Sequence, residues 1–332
     1  MTQLHASHRF DWADRARGIC MLAILLFHTE KYYAGEEIIP YALYVDNALI
    51  TFFLIAGYLF QSPEKPFSRR QKLLSVLRGI ILPYLIFTAV IAFPKAWVHE
   101  DATLADTLTA ILTGHASWFI AALAVAEVLF AFFISWWGHR PRLLGWMCAA
   151  PYLLIAAACQ LLPQEGWETS NLWCWHNALL MLPFIFMGYL CRKYPTVMEK
   201  WLQWPLFLAL IAIELILKCI IGRHALLMTL QPIHVSSFAL LFVDGMLGAM
   251  LIISLSMRLP RMRWVEWTGA HSLIYYFICG GVPLMVTRLL TSAGWPYHDN
   301  YLQIVVAFIC VWMISTAVSF FILCFYNHKR KK

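Results

Sequence analysis

This chain is poor in charge. Asp, Glu, Lys and Arg make up 13% of its 332 residues and hydrophobic residues 61%, whereas a soluble globular domain carries about 25% charged residues. So little polar surface cannot cover the chain in water, so a water-soluble globule is excluded and the bilayer becomes the solvent. The nine Cys lie mostly inside apolar runs and form no CxxC pair, which removes the usual metal-ligand spacings and leaves small packing residues as their reading. There is no Walker-type glycine loop, internal repeat or low-complexity segment. No cleavable signal peptide is evident, because the first apolar run follows a mixed-charge segment without a small-residue cleavage site. The stretches between runs are short, so no appended soluble catalytic domain is expected. Any chemistry belongs inside a helix bundle or at its two faces.

What is present is apolar length. Ten runs, near 17–34, 41–60, 73–94, 117–137, 143–162, 172–191, 203–221, 234–256, 269–291 and 302–326, approach the ~20 residues that a helix needs to cross a bilayer. Helices also satisfy their own backbone hydrogen bonds in hydrocarbon. The expected fold is therefore all-α, a polytopic transmembrane bundle of about ten spans. It reads as one domain over residues 1–332, with a short N-terminal segment (1–14) and a basic tail (327–332). With both termini in the cytoplasm, all but five of the 25 Lys and Arg fall on or beside cytoplasmic segments. The five are Lys31, Lys95, Lys218, Arg223 and Arg288. That asymmetry follows the positive-inside rule and fits an even number of spans. The formal charge of +7 then reports topology and anionic lipid, not nucleic acid.

Inside this apolar background a few ionisable residues stand out, and such groups in a span are functional candidates by default. Arg17 and His28 share the first run, in RGICMLAILLFH. Eleven residues of α-helix put them about 16 Å apart along the axis and on nearly the same side. Taken alone, Arg17 reads as a snorkelling cation and His28 as a packed histidine; together they mark a path through the protein. Glu127 lies mid-span in WFIAALAVAEVLF and needs a partner or a proton. It is expected to orient a His, to pair with an Arg, or to bond a neighbouring helix. Asp244 poses the same question, while Glu214 has no flanking signal. On the expected outer face, His115 and Trp118 open the fourth run, and Trp175 and His176 the sixth. An aromatic belt at the headgroups explains such residues, and so does a sugar, which offers C–H faces and hydroxyls. On the inner face Arg69, Arg70 and Arg78 precede ILPY, where either anionic lipid or a phosphate is a fitting partner.

In chain order these segments resemble the integral-membrane acyltransferase 3 family, which includes O-acetyltransferases of bacterial surface polysaccharides. Arg17 and His28 match its Arg-x10-His signature. FFLIAGYLF (52–60), LRGIILPY (77–84), HASWFIAALAVAE (115–127), LPFIFMGYL (182–190) and GAHSLIYYFICG (269–280) resemble later family segments, so the likeness runs from about residue 9 to 325. Three positions depart from the pattern. Ala56 replaces a Ser, Ser75 stands where the first of a paired Arg falls, and Cys279 stands where many members have His.

The resemblance implies an acyltransferase of a bacterial-type cytoplasmic (inner) membrane. The acyl group, commonly acetyl from acetyl-CoA, passes from the cytoplasmic side to a hydroxyl of a polysaccharide or lipid-linked glycan. In that frame His28 is general base or acyl relay, and the residues leave both open. Arg17, with Arg78 and Arg69 or Arg70, holds the donor's phosphates. Glu127 or Asp46 orients the imidazole, His115 is a rival base, and Trp118, Trp175 and His176 face the acceptor. No metal is called for, and homo-oligomerisation is left open. The competing class is a carrier or permease with buried ionisable groups for proton coupling. Against it, no internal repeat or paired helix break is seen in the sequence.

Overall fold

The computed structural model describes residues 10–62, 66–98, 104–162 and 171–330. The first nine residues and Lys331 and Lys332, expected in the cytoplasm, lie outside them. The described residues are almost entirely helical. They comprise α1 (Asp11–Thr29), α2 (Val45–Tyr58), α3 (Arg69–Val76), α4 (Leu82–Val98), α5 (Leu104–Leu112), α6 (Trp118–Trp137), α7 (Pro141–Leu161) and α8 (Trp175–Lys193). These are followed by α9 (Pro195–Trp201), α10 (Trp204–Arg223), α11 (Phe238–Arg258), α12 (Arg263–Ala270), α13 (Ser272–Ile278), α14 (Gly281–Ser292) and α15 (Tyr301–Arg330). The strands described are a two-residue antiparallel pair, β1 (Met228–Thr229) and β2 (His234–Val235), where the eighth apolar run was expected to begin as helix.

Among the described residues, seven helical stretches are long and apolar enough to cross a membrane: Arg69–Ile91, His115–Trp137, Pro141–Leu161, Leu172–Lys193, Trp204–Arg223, Phe238–Arg258 and Tyr301–Phe325. The ninth run is a broken pair, α13 and α14, bent by 53°. Gly280-Gly281 is a local mark of that break, set inside a run that otherwise reads as continuously apolar. The second run is a short apolar helix of 14 residues, α2. The first run, α1, carries Asp11, Asp14, Arg15 and Arg17 within 19 residues. The third helix starts at Arg69 rather than near 73, capped by the Ser68 side chain, which accepts the Gln71 N–H.

The chain forms two compact units. The first comprises residues 1–51, 207–225 and 247–332, and the second residues 52–206 and 226–246. In the first, α1 is the core helix. Cys20, Met21, Ile24 and Leu25 are buried, and α12 lies along it at backbone contact. A methyl on Gly18 would overlap the Val265 carbonyl, and one on Gly269 would overlap the Asp14 carbonyl. Small residues permit this closeness, as at membrane helix interfaces generally.

In the second unit α6 and α8 are the core. Of the apolar windows in His115–Trp137 and Leu172–Lys193, 61% and 72% of residues are buried, against 22% for Pro141–Leu161. Its tightest crossing uses the same device. A methyl on Gly57 of α2 would overlap the Ile185 carbonyl, and one on Gly188 of α8 would overlap the Leu54 carbonyl. Phe60, Phe130 and Tyr189 pack edge to face beside it, with centroids 4.8 and 5.7 Å apart.

Candidate active site

Arg17 and His28 lie on the single unbroken helix α1, so their offset of about 16 Å and about 20° is that of a regular helix. Arg17 is already engaged. Its Nη2 donates to Asp14 Oδ1 at 2.5 Å, one turn earlier, and its side chain keeps 28% of its exposure. The buried arginine of DRARG is Arg15, which nothing in the sequence distinguishes from Arg17. Arg15 donates to Glu266 Oε1 (2.6 Å from Nη2, 3.2 Å from Nε) and to the Leu259 (2.9 Å) and Ser256 carbonyls. It therefore ties α1 to the end of α11 and to α12. Burial opposes ionisation of Glu266. The Arg15 hydrogen bond, the Met262 N–H and the Arg15 and Arg261 charges outweigh it and hold that carboxyl below its ordinary range.

His28 is half-buried near the C-terminal end of α1. Immediately after it the backbone loosens into a π-helical turn, Glu30–Ala34, closed by Gly35 at φ 84°. Such turns recur at functional sites because they re-aim side chains out of helical register. Glu30 fixes the turn: it is fully buried and accepts from the Tyr301 hydroxyl (2.9 Å) and the Ile39 N–H (3.2 Å). Tyr32 returns over His28, ring on ring, with centroids 6.3 Å apart and planes 23° apart. Its hydroxyl lies 3.5 Å from where a Gly280 Cβ would stand. The tyrosine thus spans from His28 to the α13–α14 break, where Cys279 sits.

Asp46 is completely buried, and its Oδ1 lies 3.7 Å from Lys218 Nζ. Glu214, which carried no signal in sequence, belongs to the same group. Its Oε1 accepts from Asn47 Nδ2 at 2.6 Å and lies 3.9 Å from Lys218. The i,i+4 spacing of Glu214 and Lys218 inside an apolar run was the clue available.

In the second unit Glu127 pairs with Lys72, Nζ to Oε2 at 2.7 Å, with the side chains 15% and 10% exposed. Lys72 lies inside α3, whose start at Arg69 carries it alongside α6. There its ammonium also lies 4.1 Å from the Phe60 ring centroid. Arg69, Arg70 and Arg78 are exposed, and Arg78 lies in a second π-helical turn, Leu77–Ile81.

The α6 and α8 starting ends meet. Trp173 donates its backbone N–H to the Thr113 carbonyl (2.7 Å) and its indole N–H to the Leu112 carbonyl (3.0 Å). This brings the segments of His115 and Trp118 and of Trp175 and His176 to one end of the unit. Trp173 and Cys174 stand at φ 53° and 51°, a left-handed conformation that costs about 1–3 kcal/mol in a bulky residue and persists where surroundings over-determine it. His115 Nδ1 is 2.8 Å from Thr113 Oγ1. Asn171 accepts the His176 N–H at 3.0 Å, and the Trp175 and His176 ring centroids are 4.0 Å apart. The end is polar, aromatic and rigidly held.

Among the described residues no group of three or more His, Cys, Asp or Glu is placed to hold a metal ion. Comparison with curated proteins and with solved structures yields no match. The family model described as an acyltransferase domain (Acyl_transf_3) matches residues 10–324, which takes in α1 with Arg17 and His28, both glycine crossings and the broken helix pair. The chain is a membrane protein of the acyltransferase 3 family.

Proposed function

We propose that the protein is an O-acyltransferase that moves an acetyl group from cytoplasmic acetyl-CoA to a hydroxyl of a surface or lipid-linked carbohydrate. The observation that carries this reading is the family match over residues 10–324, with Arg17 and His28 on one continuous helix inside it. The reading takes residues 1–332 as one domain of ten spans in a bacterial-type cytoplasmic membrane. Both termini are cytoplasmic, and the reading is compatible with a homo-oligomer.

A sugar hydroxyl is a poor nucleophile at neutral pH. In the proposed step the His28 imidazole takes its proton as the oxygen attacks the thioester carbonyl. The C–S bond breaks, the ester forms, and the CoA thiolate takes the proton back from the imidazolium. The other route has the imidazole nitrogen attack the thioester first and hand the acyl group on. Tyr32, stacked on His28, limits which way the ring points. Arg17, Arg69, Arg70 and Arg78 are assigned to donor phosphates; Arg17 would exchange its Asp14 partner for phosphate. Glu127, bound to Lys72, is assigned a positioning role. His115, Trp118, Trp175 and His176 are assigned to the acceptor, the rings against C–H faces and the imidazoles toward hydroxyls.

The test is transfer of labelled acetyl from acetyl-CoA to glycan in membranes holding the protein, with glycan mass compared after gene deletion. A gain of one acetyl mass that disappears on deletion is the expected result. An unchanged glycan and no acetyl-CoA turnover contradict it.

One observation favours a second reading, a carrier. The α13–α14 pair is broken by 53°, and broken helices line substrate sites in many transporters. The buried Asp46, Glu214 and Lys218 group would suit proton coupling. Acetyl-CoA binding by the purified protein separates the two readings.

A further inference from the structure

Six consecutive polar residues, His28–Tyr33, close α1 and enter the π-helical turn that follows it. Four of them are bonded. Thr29 Oγ1 donates to the Leu25 carbonyl at 2.8 Å. Glu30 accepts from the Tyr301 hydroxyl at 2.9 Å and the Ile39 N–H at 3.2 Å. Lys31 Nζ lies 3.5 Å from Glu37 Oε1. The Tyr33 hydroxyl donates to the Trp295 carbonyl at 2.8 Å, and its ring belongs to a core cluster with Ile304 and Ala307 of α15. Among the described residues, the His28 ring nitrogens and the Tyr32 hydroxyl have no hydrogen-bond partner.

The two groups left over lie together. The Tyr32 ring stands over His28 with planes 23° apart. Its neighbours Glu30 and Tyr33 are buried and anchored, whereas Tyr32 itself keeps 38% of its exposure and His28 is half-buried. The turn is therefore fixed around Tyr32, and its hydroxyl stays accessible. That hydroxyl reaches the α13–α14 break. Among the described residues, a methyl on Gly280 would meet only the Tyr32 hydroxyl, 3.5 Å away, and one on Gly281 would meet nothing within 4 Å. Backbone bare of side chains is what lets another molecule come close. An acyl group can thus approach the imidazole and the hydroxyl at once.

We propose that the Tyr32 hydroxyl is the oxyanion donor of the acyl transfer, bonded to the thioester carbonyl oxygen as negative charge develops there. The proposal rests on the reading of acyl-CoA as donor and His28 as base or relay, and it supplies the charge-stabilising group that this reading lacks. Attack on the carbonyl carbon moves the C=O π pair onto oxygen. A donor already fixed at that oxygen stabilises the charge without reorganising. The phenol keeps its proton throughout. When the pair returns, the C–S bond breaks and the CoA thiolate takes the proton held by the imidazolium. If the imidazole nitrogen attacks first, the same oxygen carries the same charge, so the role of Tyr32 is common to both routes. A tyrosine of an aromatic belt also leaves its hydroxyl to water and headgroups, but it needs no fixed place over an imidazole.

The experiment is Tyr32→Phe in the full-length protein, which leaves the ring over His28 and removes only the hydroxyl. In acetyl transfer to glycan, kcat is expected to fall about 10²-fold, with KM for acetyl-CoA and for glycan within about threefold of wild type. A wild-type kcat overturns the proposal and returns Tyr32 to the aromatic belt. A raised glycan KM at unchanged kcat also overturns it, because the hydroxyl would then be an acceptor contact. The second readout is the infrared band of acetyl-CoA isotope-labelled at the acetyl carbonyl and bound to the protein in detergent. On wild-type protein the band is expected below its position in an apolar solvent, and on Tyr32→Phe it is expected to rise. A wild-type band at the apolar-solvent position overturns the proposal even if the variant fails to fold, and so does a band that Tyr32→Phe leaves in place. Wild-type protein that neither binds acetyl-CoA nor transfers acetyl removes the donor reading itself, a result distinct from an unmoved band on bound acetyl-CoA.

Discussion

The two units solve one packing problem in the same way and surround the solution differently. Each has a helix crossing at backbone contact made by two glycines, Gly18 with Gly269 in the first and Gly57 with Gly188 in the second. Around the first lie charges: Asp14 is bonded to Arg17, and Arg15 to Glu266. Around the second lie rings: Phe60, Phe130 and Tyr189. Gly18, Gly269, Gly57 and Gly188, which fall in the motifs RGICMLAILLFH, GAHSLIYYFICG, FFLIAGYLF and LPFIFMGYL, are therefore packing devices. Of those segments only the first also carries a candidate base. A helix rich in charge is tolerable there because it is buried in protein and its polar groups find partners.

The largest expected effect breaks the common element. Gly188→Val or Gly269→Val drives a branched side chain into a backbone carbonyl, so each is expected to cost about 3 kcal/mol or more and to abolish monodisperse protein. A variant that keeps its wild-type thermal midpoint would show that the crossing tolerates separation. Next come the ion pairs, which sharpen the difference. Arg15→Met takes the buried cation from Glu266, leaving it the exposed Arg261 and the Met262 N–H, and removes two carbonyl bonds, an expected loss of about 3 kcal/mol or more. Lys72→Met strands Glu127 beside rings that accept the methionine, so the loss is expected to be smaller, about 2–3 kcal/mol. Thermal unfolding in detergent ranks the two, and the reverse order would refute the assignment of charge-based cohesion to the first unit.

The smallest effect concerns pH. Glu266 has a depressed folded-state pKa, so its contribution is complete above the ordinary value of 4.5 and is lost as pH falls through the folded-state value below it. Glu266→Gln is expected to flatten the acid side of the stability profile and leave the neutral side lower throughout. An unaltered acid limb would contradict the Arg15–Glu266 account.

Most helix positions could be read from apolar length, because a helix in hydrocarbon needs little else. The departures arise where tertiary contact overrides length. The break between α13 and α14 sits at Cys279-Gly280-Gly281, where a Gly-Gly pair interrupts an otherwise apolar run. The strand pair at Met228–Thr229 and His234–Val235 is too short to leave a period. In the proposed site, Arg17 and His28 stand out in the sequence because their spacing is helical and their context apolar. Arg15 was not, since two arginines two residues apart look alike until one finds Glu266, 251 positions away. Lys72 was hidden for a similar reason: it reads as the end of a basic loop, and only the start of α3 at Arg69 brings it to Glu127. The π turns after His28 and around Arg78 leave no mark in composition at all.

The central claim is that His28 performs the proton transfer. It is tested most directly by His28→Ala, with acetyl transfer to glycan measured in membranes where the variant matches wild type in amount and thermal midpoint. The account expects turnover to fall by roughly 10²–10⁴-fold while acetyl-CoA affinity stays within about threefold, since an imidazole used in the transition state adds little to ground-state binding. Wild-type turnover in folded His28→Ala protein would contradict it.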